Sequence, residues 1–271
     1  MSVAKETSEN GFVPYNPEYK RKMNKSEIPN CNILGVNIAA INPEWLCSYV
    51  SKNISDLSGD YICFSNVHTT VTASENPDYL KVQNGGIMAV PDGGPLATVG
   101  RKRGFPDTQR TMGPIFMGEI LKISVENGFS HYFYGSTDET LRKLKENLEK
   151  DYPGINIKGM FSPPFRALTG QEDSDYIKMI NEADADFVWI GLGAPKQEFW
   201  MAQHQGKVKG LMLGVGAAFD YFAGNINLAP RWMQKNNLEW VYRLVQDPKR
   251  LFKRYLYTNP RFIWNVFIRG K

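Results

Sequence analysis

The chain has 271 residues, of which 42% are hydrophobic and 22% charged, and its net charge is +4. This length allows one large α/β domain with an appendage, or two small domains, and it excludes a peptide hormone or a lone binding finger. The ordinary composition indicates a folded soluble protein and favours no function. No run approaches the roughly 18 to 20 apolar residues that a membrane-spanning helix needs, and the polar opening segment has no secretory signal pattern. The three cysteines lack a CxxC spacing, which predicts a reduced, cytosolic protein.

Residues 1–30 are polar, contain Pro14, Pro17 and Pro29, and are predicted to form a poorly ordered arm. Beyond this arm, short apolar runs of strand length alternate with amphipathic segments of helix length. The predicted strands are residues 33–36, 61–64, 87–90, 131–134, 187–190 and 211–215. The predicted helices are residues 43–53, 77–83, 113–127, 138–150 and 172–183.

This alternation predicts an α/β fold over residues 31–227, in which helices cover both faces of a mostly parallel sheet. In such sheets the segments that leave the carboxyl ends of the strands line the ligand crevice. Three segments follow predicted strands in this way: "SNVHTT", "VPDGGPLATVGRKRG" and "GLGAPKQE". We expect all three to open on the same edge of the sheet.

The third segment contains Gly-X-Gly, a fragment of the dinucleotide-binding fingerprint, but Pro and Lys stand where that pattern would continue. A structural turn is the simpler interpretation. Polar side chains at the start of the following helix favour a phosphate-bearing ligand other than NAD, because donors and a helix amino terminus would lie together. The residues assigned to this candidate loop are Gly191, Gly193, Pro195, Lys196, Gln197 and Glu198.

Asp92 follows the third predicted strand and precedes Gly93 and Gly94, which let the backbone approach a ligand closely. A carboxylate at this position is suited to general-base catalysis, and an ordinary Asp-Gly turn is the alternative. The next loop is basic and is either part of the crevice or solvated surface. Its cations are Arg101, Lys102, Arg103 and Arg110.

Two other kinds of site are not predicted. His68 and His131 have no second histidine at metal-ligand spacing, which predicts no protein-bound metal. The chain also lacks the GxSxG motif of a serine nucleophile.

Residues 228–271 differ in charge from the rest of the chain. They carry two acidic residues, Glu239 and Asp247, against a basic majority that gives about +8, so about −4 remains for the body. Asp247-Pro248 and Asn259-Pro260 predict boundaries between three short helices. The many aromatic residues of this tail favour three alternatives: its own core, an anionic membrane surface, or nucleic acid. Arg250 and Arg254 are four residues apart and share a helical face.

Together these motifs resemble the WecG/TagA/CpsF family of bacterial glycosyltransferases. The resemblance runs from about Ile33 to the end of the chain, through "SNVHTTVTASENPDYLKV", "VPDGGPLA", "RTMG", "GLGAPKQEFW" and "GVGAAFDYFAGNINLAPRWMQKNNLEWVYRLVQDPKRLFKRYL". It implies an inverting transfer of a sugar from a UDP-activated donor to a polyprenyl-linked acceptor at the cytoplasmic membrane face, in surface or secreted polysaccharide synthesis. It also implies a Rossmann-like core, a C-terminal appendage that completes the site at the membrane, and no metal or cofactor besides the UDP-sugar.

The resemblance assigns roles to individual residues. It implies that Asp92 is the general base, that Asn66 and Arg110 lie in the pocket, and that Gln197 faces the nucleotide. It implies that Arg243, Arg250 and Arg254 meet the diphosphate. Further residues assigned to the substrate site on this basis are Thr69, Gly93, Gly216, Asp220 and Arg231. The family has Thr at the position of Phe64, so the candidate hydroxyls for the acceptor are those of Ser65, Thr69 and Thr70.

The expected partners are a UDP-sugar, a glycolipid acceptor and an anionic membrane surface, with self-association as a further prediction and no nucleic acid. The tail is expected to close over the nucleotide as well as to contact lipid. The alternative function is a non-catalytic nucleotide- or membrane-binding subunit of a polysaccharide assembly complex.

Overall fold

The computed structural model describes residues 19–236 and 238–270, without the side chains of Arg231, Lys235 and Arg250. Within these ranges eight strands form one sheet in the order β1-β2-β4-β3-β8-β7-β5-β6. The first two strands are antiparallel and all other neighbouring pairs are parallel. The strands are β1 (Asn30–Ile33), β2 (Val36–Ala39), β3 (Tyr61–Ser65), β4 (Met88–Pro91), β5 (Ser130–Gly135), β6 (Asn156–Phe161), β7 (Phe187–Gly191) and β8 (Leu211–Gly214). The predicted α/β fold is therefore confirmed.

Helices cover both faces of this sheet. Those of the core are α1 (Pro43–Asn53), α2 (Val67–Glu75), α3 (Pro77–Gly85), α4 (Gly94–Lys102), α5 (Gly113–Asn127), α6 (Asp138–Asp151), α7 (Gly170–Glu182), α8 (Lys196–Gln203) and α9 (Ala218–Phe222). Those of the tail are α10 (Arg231–Lys235), α11 (Glu239–Gln246) and α12 (Pro248–Ile263), and a π-helical turn, Trp264–Ile268, follows them.

The sheet separates two hydrophobic cores, because alternate residues of each strand point to opposite faces. In β3, Ile62 and Phe64 join the core under α1, α5 and α6, whereas Tyr61 and Cys63 join the core under α2, α3 and α8. The inner strands β3, β4, β5, β7 and β8 are buried on both sides and therefore appear in the sequence as continuous apolar runs.

The carboxyl ends of β4, β3, β8 and β7 lie side by side, since these strands are consecutive neighbours in the sheet and run parallel. The three segments singled out in the sequence open on this edge, as predicted. Two of them enter helices directly instead of forming loops, because α2 begins after its N-cap Asn66 and α4 after its N-cap Gly93.

The tail packs on the core through α12, which lies against α2. On α12, Leu251, Thr258 and Phe262 are buried, and Phe262 belongs to the same hydrophobic core as Val71 of α2. The predicted boundary at Asp247-Pro248 is confirmed, but the one at Asn259-Pro260 is wrong, because α12 continues through Pro260. A proline removes one hydrogen bond of the helix, and tertiary packing on both sides of it, here by Thr258 and Phe262, outweighs that loss.

Other sequence predictions need correction. Residues 33–36 are not one strand but a hairpin, in which Leu34 and Gly35 both adopt positive φ and Ile33 pairs with Val36. Strand β6 was not predicted, because its exposed and half-buried residues form no apolar run.

Residues 1–18 of the predicted poorly ordered arm lie outside the described residues. Residues 19–30 are docked on the core: the Arg21 guanidinium pairs with the buried carboxylate of Asp60 and donates to the carbonyl of Gly85. For these residues the prediction is wrong.

Candidate active site

A cavity of about 560 Å³ lies between the carboxyl edge of the sheet and the tail. Both parts of the chain contribute polar and charged residues to its wall. The core contributes Asn66, His68, Asp92, Gly93, Thr98 and Arg110, and the tail contributes Glu239, Trp240, Arg243, Arg254, Tyr255 and Asn259. The assigned residues Asn66, Asp92, Gly93, Arg110, Arg243 and Arg254 are thus brought together in one cavity.

Asp92 is fixed by contacts on both its side chain and its backbone. The N–H of Gly113, the first residue of α5, donates to Asp92 Oδ1 at 3.0 Å, and Arg110 Nε donates to the Asp92 carbonyl at 2.7 Å. The amino end of a helix carries partial positive charge, which favours a carboxylate there. The second carboxylate oxygen has no hydrogen-bond partner among the residues that the structure describes, so it is suited to accept a proton.

Asn66 lines the cavity and also caps α2. Its Oδ1 accepts from the backbone N–H groups of His68 and Thr69. The Cα of Asn66 lies so close to Gly93 that a Cβ on Gly93 would be 3.1 Å from it. The absence of a side chain at Gly93 thus eases the close approach of the two strand ends.

The hydroxyl groups proposed to replace the family's Thr have other partners. Thr69 accepts from the Asn66 N–H and completes the cap, Thr70 donates to the Asn66 carbonyl, and buried Ser65 donates to Gln83. The three residues do not line the cavity, so the prediction of an acceptor hydroxyl among them is not supported by their placement.

His68 lines the cavity instead. Burial, with a smaller effect from the charge of Arg254, lowers the pKa of His68 to about 3, so its ring is neutral at physiological pH. The prediction for His68 from the sequence concerned metal binding only. Its position in the first turn after a strand end was the signal for a place in the crevice.

The tail provides the remaining charge. Arg243 lies over the ring of Tyr221 at 5.9 Å from its centroid. Burial would lower the pKa of Arg243, but the neighbouring Tyr221, Tyr255 and Asp92 raise it above its ordinary value, so it stays charged. The side chains of Arg231 and Arg250 lie outside the described residues.

Arg110 also contacts the tail, through an ion pair of 2.6 Å between its Nη2 and Glu239 Oε2. The other cations of the basic loop point elsewhere: Arg101 donates to the Thr108 carbonyl, and Lys102 lies over the ring of Phe267. Arg103 donates to a carbonyl of the first hairpin. Among the four, the cavity is lined by Arg110. Glu239 was not assigned to the site from the sequence, although it is one of two acids in a basic tail.

The "GLGAPKQE" segment lies on the same sheet edge but does not line this cavity. Gln197 ties it to the neighbouring strand, since its Nε2 donates to the Gly214 carbonyl and its Oε1 accepts from the Gly193 N–H. A Cβ on Gly191 would lie 2.7 Å from the ring of Phe219, which explains this glycine by packing. The nucleotide-binding role of the segment stays a prediction. The assigned residues outside the cavity wall are Thr69, Gly191, Gly193, Pro195, Lys196, Gln197, Glu198, Gly216 and Asp220.

Glu198 is fully buried behind this segment. It accepts hydrogen bonds from Gln197 and from the Tyr79 hydroxyl, and Tyr79 accepts in turn from Gln83. Burial raises the pKa of Glu198 to about 7, against the lowering effect of these hydrogen bonds. Asp220 has a structural partner as well, the side-chain amide of Asn225.

In the described part of the chain no three His, Cys, Asp or Glu residues are grouped as metal ligands. The sequence contains two Asp-X-Asp tripeptides, at residues 173–175 and 184–186, and neither lines the cavity. Asp173 pairs with His204, and Asp186 accepts from Ser130. His131 is a core residue, whose Nδ1 accepts from the indole of Trp189.

The fold is a mostly parallel α/β fold, a class in which ligands bind at the carboxyl ends of the strands, where this cavity lies. The chain belongs to the WecG/TagA/CpsF glycosyltransferase family, whose sequence profile matches residues 31–271. It is similar to the N-acetylglucosaminyldiphosphoundecaprenol N-acetyl-beta-D-mannosaminyltransferase of Staphylococcus aureus strain MW2, with 28% identity over 76% of this chain and 79% of the relative. The equally named protein of Bacillus spizizenii is 27% identical over 81% of both chains. The resemblance seen in the motifs is thereby confirmed.

Proposed function

We propose that this glycosyltransferase moves a hexose or N-acetylhexosamine from a UDP-sugar to a polyprenyl-diphosphate-linked acceptor, with inversion at the anomeric carbon. The names of its relatives make N-acetylmannosamine the first donor sugar to test and N-acetylglucosaminyl-diphosphoundecaprenol the first acceptor. The observation that carries the proposal is the shared cavity, in which a fixed carboxylate, Asp92, lies with the guanidinium groups of Arg243 and Arg254.

In this mechanism Asp92 is the general base. Its carboxylate takes the proton of the acceptor hydroxyl while that oxygen forms a bond to the anomeric carbon. The bond from the anomeric carbon to the UDP oxygen breaks on the opposite face, and the electron pair leaves with UDP. The Gly113 N–H donates to one carboxylate oxygen of Asp92 and thereby fixes the orientation of the group, so that the other oxygen is positioned to accept the proton.

The leaving diphosphate gains negative charge in the transition state. Arg243 and Arg254 are suited to stabilise it, because a guanidinium group donates paired hydrogen bonds to phosphate oxygens and remains charged. We propose that these side chains supply the charge that a metal ion supplies in other transferases. The apolar part of the same wall, which includes Phe262, Ile263 and Phe267, suits a lipid-linked acceptor.

The outer surface of the tail supports a membrane location. Of the large apolar side chains exposed in the described residues, most lie in the tail, and they include Trp240, Phe252, Leu256, Trp264 and Ile268. Exposed apolar groups beside cations favour binding to an anionic lipid surface. No helix in the described ranges is long and apolar enough to cross a membrane. We propose that the protein is cytoplasmic and peripheral on the inner face of the cell membrane.

The proposal is tested by nucleotide binding and by transfer. We expect UDP, UDP-glucose, UDP-N-acetylglucosamine or UDP-N-acetylmannosamine to raise the melting temperature in EDTA, whereas GDP and NAD leave it unchanged. Transfer is then measured to a synthetic acceptor, N-acetylglucosaminyl-diphosphoundecaprenol, in phosphatidylglycerol vesicles. If uridine nucleotides do not raise the melting temperature and no sugar is transferred, the proposal is contradicted and the non-catalytic alternative is favoured.

A further inference from the structure

Glu239 is the second acidic residue, besides Asp92, in a cavity wall that also carries Arg110, Arg243 and Arg254. It is the first residue of α11, and 6% of its surface is exposed. Its Oε2 lies 2.6 Å from Arg110 Nη2, and the two side chains are 8% and 20% exposed. The contact is an ion pair by distance, but the same Oε2 atom has no partner with hydrogen-bond geometry among the described residues. A buried carboxylate is costly unless it is paired, so the charge of Arg110 is what compensates Glu239 here.

The contact continues to the proposed base. Arg110 also donates through Nε to the backbone carbonyl of Asp92, at 2.7 Å. One guanidinium group therefore connects a tail carboxylate to the segment that carries Asp92. The side chain of Asp92 is held separately, by the Gly113 N–H.

A carboxylate here opposes the binding of a diphosphate, so its presence needs another explanation. Arg243 stands one helical turn after Glu239 and lines the same cavity. The pairing with Glu239 directs Arg110 toward the Asp92 backbone, whereas Arg243 belongs to the cationic part of the wall. Glu239 also contributes to the raised pKa of Arg243, after Tyr221, Tyr255 and Asp92, but its ion pair is with Arg110.

We propose that Glu239 is a positioning residue: by pairing with Arg110 it fixes the segment that carries Asp92, so that the docked tail orients the base of the reaction. This inference rests on the proposed function, because it takes Asp92 as the group that accepts the proton. It gives the tail a role in proton transfer that is separate from contact with the nucleotide or with lipid.

The test is Glu239→Gln, which keeps the size of the side chain and removes its charge. We expect kcat to fall at least tenfold while the KM for the UDP-sugar stays the same or falls, since one negative charge leaves the cavity. Loss of tail docking has the opposite signature: the donor KM rises, because Arg243 and Arg254 move away together with the tail.

The matched control is Glu75→Gln. Glu75 also joins core to tail, through Tyr257 and Arg261, but it lies outside the cavity wall. We expect wild-type kcat and KM for this variant. A wild-type kcat for Glu239→Gln, or a raised donor KM with reduced kcat, would overturn the positioning role.

A wild-type protein that transfers no sugar would contradict the proposed function instead. The contact is then measured without activity, by urea unfolding of Glu239→Gln, Arg110→Gln and the double variant. Additive effects of the two substitutions would show that the residues are not coupled and would overturn the inference.

Discussion

The N–H of Gly113 donates a hydrogen bond to Oδ1 of Asp92 at 3.0 Å, across 21 positions of the chain. An asparagine at position 92 can accept the same hydrogen bond through its amide oxygen, but it cannot take a proton from the acceptor. We therefore expect Asp92→Asn to lower kcat by about 10²–10⁴-fold and to leave UDP binding, measured by calorimetry, largely unchanged. Asp78→Asn, an exposed change on α3, is the control. Nearly unchanged turnover in folded Asp92→Asn would remove Asp92 from the base role.

Arg243 provides the next prediction, because its charge lies in the cavity with that of Arg254. We expect Arg243→Ala to lower kcat/KM for the UDP-sugar by about 10- to 100-fold, the loss of charge-assisted hydrogen bonds to the diphosphate. Arg243→Lys should recover only part of this loss. The ammonium group keeps the positive charge, but it cannot donate hydrogen bonds in the paired geometry. Arg261→Ala removes an exposed tail arginine that pairs with Glu75, and we expect it to retain wild-type kinetics. Equal losses for the two alanine variants would argue against a specific role of Arg243.

Glu198 predicts an unusual dependence of stability on pH. Burial raises its folded-state pKa to about 7 from an ordinary 4.5. The folded state therefore binds the proton more tightly than the unfolded state, so this contribution is complete below pH 4.5 and is lost as the pH rises through 7. The loss is at most roughly 3 kcal/mol in the free energy of unfolding.

The measurement is urea unfolding between pH 5 and 8, where we expect Glu198→Gln to depend less on pH than the wild type. Glu149→Gln, an exposed change on α6, should keep the wild-type dependence. Identical pH dependence of Glu198→Gln and the wild type would show that Glu198 does not titrate in this range.

The outer surface of α12 predicts lipid binding. Phe252 and Leu256 lie one turn apart and are 56% and 65% exposed. We expect Phe252→Ser/Leu256→Ser to weaken binding to phosphatidylglycerol vesicles at least about tenfold in co-sedimentation, because apolar area no longer enters the interface. Phe165→Ser changes a side chain that is 84% exposed on the core, and we expect it to bind as the wild type does. Equal weakening in both proteins would place the binding surface elsewhere.

The parallel strands could be predicted from the sequence because burial on both faces leaves continuous apolar runs. The hairpin at Leu34 and Gly35 could not, since its turn consists of an apolar residue and a glycine inside such a run. Helices α2 and α4 were not predicted from the sequence, because their first turns consist mostly of small and polar residues and show no apolar periodicity. The cap of α2 is local, because Asn66 and Thr69 each accept a hydrogen bond from the other's backbone N–H. Helix α4 begins after Gly93 without a side-chain cap, and the Gly93 N–H donates instead to the carbonyl of Ser65 at the end of β3, a contact that a local pattern does not contain.

The cavity was predictable in part. Asn66 and Asp92 follow adjacent parallel strands, so the fold class alone brings them together. Arg243 was assigned only through the family resemblance, and Glu239 was not assigned at all, because nothing in the spacing of residues 228–271 specifies which side of α11 meets the core. The placement of Gln197 and Glu198 beneath the sheet edge also depends on packing, here around Tyr79, that a local pattern does not contain.

Helix α12 has one face that packs on the core and another that is exposed. Leu251 and Phe262 pack inward, whereas Phe252 and Leu256 face outward, so the two environments are about one helix diameter, roughly 10 Å, apart. Each residue inserted into a helix rotates all later residues by about 100° around its axis. A single-residue insertion between Pro248 and Phe262 would therefore rotate the inward and outward groups out of place together, whereas exchanges of outward side chains leave the inner packing unchanged. Over this segment the chain is constrained in length more strictly than in composition.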